Sequence, residues 1–307
     1  MAERLRTLET SDGRTLAFAL WGDPDGFPVL ANHGCPGSRF DRWPDEALYA
    51  QLGIFLVTHD RAGYARSDRR HGRTVVDEVD DLALLADHLG IERFGVTGAS
   101  GGGPHALACA ARLPDRVVGA VASVCIAPIG EGGMEYDEWI DGMDPENVEF
   151  SKLEIAGDEQ TLSEKLEVLR QHIAENIEVD PRAGTEDFEL SEADEAASAI
   201  PELAQMAAES GVEWTRGDVG GWVDDSLALA RPWGFDLRQI KVPVLLRYGL
   251  TDVFVPPGHG RWLASQIPGC EVVIDDEAGH YPQDPARTTA ENLDWLRHRV
   301  DLPRESK

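Results

Sequence analysis

The chain has 307 residues, a length that supports one large hydrophobic core carrying an insertion more readily than two independent domains. Its 56 acidic and 28 basic residues leave a formal net charge of −28, which argues against binding nucleic acids or anionic membranes, since both need a basic face. No run reaches the roughly 18 apolar residues of a membrane span, and the charged start Met1-Ala2-Glu3-Arg4-Leu5-Arg6 lacks the apolar stretch of a signal peptide, so a soluble cytoplasmic protein acting on a small molecule is expected.

Strands are predicted near residues 4–10, 14–20 and 28–32, the last followed by the turn His33-Gly34-Cys35-Pro36-Gly37-Ser38. A helix near 39–51 and a strand near 53–59 precede a second turn, Asp60-Arg61-Ala62-Gly63-Tyr64-Ala65-Arg66-Ser67. Thr74 to Leu89 has the spacing of an amphipathic helix, closed at its carboxyl end by Gly90. A strand near 93–99 then runs into Gly98-Ala99-Ser100-Gly101-Gly102 and a small-residue helix near 101–113. A G-x-S-x-G between strand and helix describes a turn so tight that only minimal neighbours fit. The helix N-terminus then aims free N–H groups and its positive dipole end at the serine. Ser100 is the candidate nucleophile; a plain glycine-rich turn is the alternative, and partners downstream decide between them.

After a strand near 116–124, the composition changes. Residues 127–232 hold 28 acidic and 6 basic residues, net −22, whereas the other 201 residues carry net −6. Leu162, Leu166, Leu169 and Ile173 form one helical stripe, Ser191-Glu192-Ala193-Asp194 opens another helix in capping-box style, and Pro201 ends or restarts it. Trp214, Trp222 and Trp233 fit anchors that pin this segment to the rest; the alternative has Trp222 and Trp214 roofing an apolar substrate pocket. The acidity fits a hydrated surface, or else a mouth that draws cationic substrates.

The strand near 242–248 leads to Gly249-Leu250-Thr251-Asp252, a helix follows near 257–266, and the strand near 270–275 leads to Glu277-Ala278-Gly279-His280 before a last helix near 285–299. Ser100, Asp252 and His280 thus each follow a strand end, in the chain order Ser, Asp, His. In a parallel sheet such ends share one edge, so the three can converge as nucleophile, orienting acid and base. His105, one turn into its helix, reads as a packed group, and His259 as a surface or helix-terminal one. Asp224 and Asp225 compete less well with Asp252 because they belong to the acidic insertion. Cys35, Cys109, Cys125 and Cys270 are widely spaced in apolar or small-residue surroundings and read as reduced thiols. Neither H-x-x-x-H nor H-E-x-x-H occurs, so no metal and no cofactor is expected.

The elbow, the Ser-Asp-His order and two further segments together resemble an α/β-hydrolase fold serine hydrolase over nearly the whole chain. His33-Gly34-Cys35-Pro36-Gly37 resembles the HGxPG oxyanion loop of capped members. Asp60 to Ser67 resembles their DxxGxGxS turn, with Tyr64-Ala65-Arg66 departing from it around the second glycine. The resemblance implies a mostly parallel eight-stranded sheet flanked by helices, a core of 1–126 and 233–307, and a helical cap, 127–232, inserted between the sixth and seventh strands. It further implies that Cys35 and Gly101 N–H groups form the oxyanion hole and that His33 holds the loop through its ring nitrogens. The serine at position 100 and the single tyrosine, Tyr136, between Ala127 and Pro232 argue against dehalogenase and epoxide hydrolase chemistry. An ester or lactone hydrolase is expected first, a proline iminopeptidase-like exopeptidase second, and a non-catalytic small-molecule binder third. A perhydrolase would use the same triad, and the oligomeric state, homodimer included, stays open.

Overall fold

The structure, a computed structural model, describes residues 5–185 and 188–299. Residues 1–4, where the strand expected near 4–10 and the core segment 1–126 begin, and 300–307, at the end of the segment 233–307, lie outside the described residues. Eight strands form one sheet: β1 (Arg6–Glu9), β2 (Thr15–Gly22), β3 (Phe27–Asn32), β4 (Ile54–His59), β5 (Phe94–Ala99), β6 (Val117–Ser123), β7 (Val244–Gly249) and β8 (Glu271–Asp275), in the order β1-β2-β4-β3-β5-β6-β7-β8. β2 runs antiparallel to its neighbours β1 and β4, and the pairs from β4 through β8 are parallel.

Alternating side chains feed two layers of core. Leu16, Phe18, Leu30 and Val57 pack on one face with helices α2 (Glu78–His88) and α3 (Gly103–Arg112). Ala19, Trp21, Val29 and Leu56 pack on the other with Tyr49 of α1 (Glu46–Gln51) and with Leu293 and Leu296 of α11 (Pro285–Arg297). The helix expected over 39–51 is therefore shorter than its pattern suggested. Pro44 disfavours helical backbone at Trp43, and the Asp45 carboxylate caps the helix by accepting the Ala47 N–H at 3.0 Å. The helix over 74–89 begins as a single 3₁₀ turn, Val75–Asp77, and Gly90 takes φ +69° where it ends.

Between β6 and β7 the described residues form α4 (Tyr136–Trp139), α5 (Pro145–Ala156), α6 (Glu159–Asn176), α7 (Glu192–Ser198), α8 (Pro201–Trp214) and α9 (Gly220–Leu229). The α6 stripe does what its spacing predicts: Leu162, Leu166 and Ile173 are buried, the first two against Val219, Val223 and Leu227. Ser191 caps α7, and Pro201 is the first residue of α8. α10 (Pro257–Gln266) completes the described helices, none of which is long and apolar enough to cross a membrane. Because β3, β4, β5, β7 and β8 point the same way, the segments leaving them gather at one edge of the sheet.

Candidate active site

Ser100 follows the last residue of β5 with φ +53°, left-handed backbone that an L-residue adopts only under constraint. The constraint comes from close packing around glycines. A Cβ on Gly98 would stand 2.5 Å from the Gly102 carbonyl carbon, and one on Gly102 would strike the Asn32 and His33 carbonyl oxygens. Gly101 lies in the first turn that follows, where backbone N–H groups have no intrahelical acceptor.

Asp252, on the turn leaving β7, is buried, and both its carboxylate oxygens have partners. Oδ1 accepts the Phe254 and Val255 N–H groups, both at 2.9 Å, while Oδ2 lies 2.9 Å from His280 Nδ1. This pairing assigns the imidazole proton to Nδ1 and leaves Nε2 as a free base. Burial alone would lower the His280 pKa, but the adjacent Asp252 charge and hydrogen bond outweigh it and raise the group above its ordinary value of 6.5. Phe254 and Tyr281 flank the ring with centroids 5.3 and 5.6 Å away.

The turn from His33 to Ser38 approaches the serine closely. A Cβ on Gly34 would lie 3.9 Å from Ser100 Cβ, and one on Gly101 would lie 2.6 Å from Cys35 Cβ and 3.4 Å from Cys35 N. Ser100, Cys35, Gly101 and His280 line one cavity of about 590 Å³. The residues between β6 and β7 supply most of its apolar wall, including Phe150, Leu166, Ile173, Met206, Trp214 and Trp222. The two tryptophans meet edge to face at 5.4 Å.

Several residues that the sequence left unassigned, or assigned differently, now have positions. His259 does begin a helix, but it is fully buried rather than on the surface: its Nδ1 accepts the Ala127 N–H at 3.0 Å and its Nε2 faces the Trp139 carbonyl at 2.8 Å. Both bonds tie the start of the long insertion to α10, which is why a polar ring is kept inside. His105 is buried against the Val75 carbonyl, 3.2 Å from Nδ1. Asp224 pairs with Arg69 at 2.7 Å and Asp225 with Arg61 at 2.5 Å, so neither serves His280. Part of the acidity of 127–232 is thus neither hydrated surface nor cavity mouth. Glu209, Glu213, Asp224 and Asp225 pair with Arg42, Arg39, Arg69 and Arg61 from the segments around β3 and β4.

Three carboxyl groups near the cavity had no signal of their own. Asp41 lies beside the Gly34 N–H at 3.3 Å, and burial pushes it up to about 6; burial likewise pushes Glu154 up to about 7. Asp194, read in the sequence only as part of a capping box, does more. Its Oδ2 accepts the Ser191 hydroxyl at 2.8 Å, but its Oδ1 accepts the Tyr281 N–H at 2.9 Å, which fastens α7 to the loop that carries His280.

Comparison with known proteins places the chain in a fold family. The family model for the alpha/beta hydrolase fold matches residues 28–286. A non-heme chloroperoxidase from Streptomyces lividans is 34% identical over 126 residues, 40% of this chain and 45% of that protein, so the chain matches less than half the length of this relative. A proline iminopeptidase from Neisseria meningitidis serogroup B is 27% identical over 293 residues, 91% of this chain and 90% of its own. Among solved structures, a thermophilic esterase from Thermogutta terrifontis superposes with TM-score 0.64 at 26% identity, covering 96% of this chain and 98% of that one.

Proposed function

The chain belongs to the α/β-hydrolase fold family, and from that premise we propose that it is a serine hydrolase cleaving carboxylic esters or lactones through an acyl-enzyme. The observation that carries this reading is a serine held at φ +53° at a helix start, in the same cavity as a histidine bonded to a buried aspartate. Ser100 Oγ attacks the substrate carbonyl carbon while His280 Nε2 takes its proton. Asp252 fixes the tautomer and stabilises the imidazolium. Cys35 and Gly101 N–H groups hold the oxyanion; its collapse breaks the bond to the leaving alcohol, which receives the proton from His280. Water, deprotonated by the same base, then releases the acid and restores Ser100.

Residues 127–232 act as the cap over this cavity, with Trp214 and Trp222 as its aromatic roof. Asp41 and Glu154 make the cavity unfavourable for carboxylate-bearing substrates, and the paired Arg247 offers no free cation to offset them. Those carboxyls and the long alignment with the proline iminopeptidase favour a second reading, removal of an amino-terminal residue from a peptide. Fluorophosphonate labelling followed by mass spectrometry is expected to place one adduct on Ser100 and none on the Ser100→Ala variant. A parallel screen of ester chain lengths against aminoacyl arylamides decides between the two readings. An adduct elsewhere, or no adduct on folded protein, would remove the catalytic assignment and leave a small-molecule binder.

A further inference from the structure

Arg61 is fully buried, yet the reaction described above gives it no part. Its guanidinium lies beneath the oxyanion loop. Nη1 donates to the His33 carbonyl, and Nη2 donates to the Gly34 carbonyl at 2.8 Å. The Arg61 backbone N–H donates to His33 Nε2 at 3.0 Å, which places the ring proton on Nδ1; Nδ1 then donates to the same Gly34 oxygen at 2.7 Å. Gly34 O therefore receives two hydrogen bonds, one of them from a cation.

That carbonyl belongs to the peptide group whose nitrogen is Cys35 N. The group is trans and planar, so the Cys35 N–H points opposite to the Gly34 C=O, away from Arg61. Amide resonance couples the two ends: withdrawing electron density from the oxygen makes the N–H a stronger donor, as in chains of hydrogen bonds that polarise one another. We propose that Arg61 is a positioning residue for the oxyanion hole, orienting the Gly34–Cys35 peptide and strengthening the Cys35 N–H as the donor that meets the developing oxyanion. This rests on the serine hydrolase reading and assigns it a residue it did not contain.

The guanidinium is kept in place from the other side by α9. Asp225 Oδ2 accepts from Arg61 Nε at 3.0 Å and Nη2 at 2.5 Å, and Arg73 shares the same carboxylate. The Arg61 guanidinium carbon also lies over the Tyr64 ring, 5.4 Å from its centroid. A helix of the insertion is thereby linked to the oxyanion loop through one cation.

The chain has four cysteines, so uniform ¹⁵N-cysteine labelling gives a spectrum in which the Cys35 amide can be followed directly. In the phosphonylated wild-type protein, whose phosphoryl oxygen occupies the oxyanion position, the Cys35 amide proton is expected to move downfield. That displacement should shrink in Arg61→Lys, which keeps the charge but cannot fork across two carbonyls, and vanish in Arg61→Met. kcat should fall about tenfold and about hundredfold respectively with KM little changed, approaching the loss seen when an oxyanion donor is removed outright. Arg73 remains to neutralise Asp225 in both variants; should Arg61→Met nevertheless fail to fold, Arg61→Lys decides alone. An unchanged displacement and kcat in the folded variants overturn the role of Arg61 while leaving the hydrolase reading intact. No displacement in the wild type overturns the Cys35 assignment itself, and no phosphonylation overturns the hydrolase reading.

Discussion

Removing the Asp194 carboxylate tests whether the helical insertion holds the histidine in place. Asp194 is 1% exposed and spends one oxygen on Tyr281 N–H and the other on the Ser191 hydroxyl. Gly279 packs so closely that a Cβ there would stand 2.6 Å from Asp194 Oδ1, so the contact is with the backbone of the loop itself. A hydrogen bond to a charged acceptor contributes about 1.5–3 kcal/mol. Asp194→Ala forfeits two, but Ser191 is half-buried and Tyr281 is 37% exposed, so water recovers part of the loss. A net destabilisation of about 2–3 kcal/mol follows, because a group that regains water avoids the full cost of an orphaned buried donor. At about 2 °C per kcal/mol for a domain of this size, Tm should drop by about 4–6 °C. Tyr281 adjoins His280, and since a misplacement near 1 Å can cost about 10²-fold, kcat should fall between tenfold and a hundredfold while KM changes little. Asp194→Asn keeps the acceptor for Tyr281 N–H and should recover most of both losses. Calorimetry and ester hydrolysis by the three proteins make the test. A Tm within about 1 °C of the wild type together with an unchanged kcat would refute the claim that α7 fastens the base-bearing loop.

Asp252→Asn removes the charge that holds His280 above its ordinary pKa, so burial prevails and the pKa falls. Since the base must be unprotonated, the rising limb of kcat/KM, centred above about 6.5 in the wild type, should move to lower pH, with turnover reduced by about 10⁴, the loss seen in a well-studied triad. Gly98→Ala places a methyl 2.5 Å from Gly102 C and 3.0 Å from Gly103 N, both backbone atoms. Overpacking of that kind should cost about 1–3 kcal/mol in urea denaturation and abolish labelling of Ser100. For matched neutral, anionic and cationic esters, kcat/KM should favour the cation and disfavour the anion at low salt. The difference should fade as the Debye length shortens from about 10 Å at 0.1 M to about 3 Å at 1 M, and parallel curves for all three esters would remove steering by the acidic insertion.

Features that depend on near neighbours in the chain are legible in the residue order. Alternating and continuous apolar runs located all eight strands, and the glycines around Ser100 announced a turn that backbone sterics permit in few other ways. The order of Ser100, Asp252 and His280 at strand ends was legible because a parallel sheet brings such ends to one edge. The helix expected over 39–51 is shorter, Glu46–Gln51, because Pro44 and the Asp45 cap set its start. His259 reads as surface or helix-terminal from the sequence, and its burial is not legible there because its two partners, Ala127 and Trp139, lie 132 and 120 residues away.

Where the charges of residues 127–232 go depends on contacts between distant parts of the chain. Asp225 meets Arg61 across 164 residues and Asp194 meets Tyr281 across 87, pairings that no local period encodes. An acidic residue on a solvated face and one buried under an arginine carry the same letter and similar neighbours in sequence. What separates them is the burial that folding imposes, because a carboxylate taken out of water must find a cation or backbone donors, and which one it finds depends on the chain's path through space.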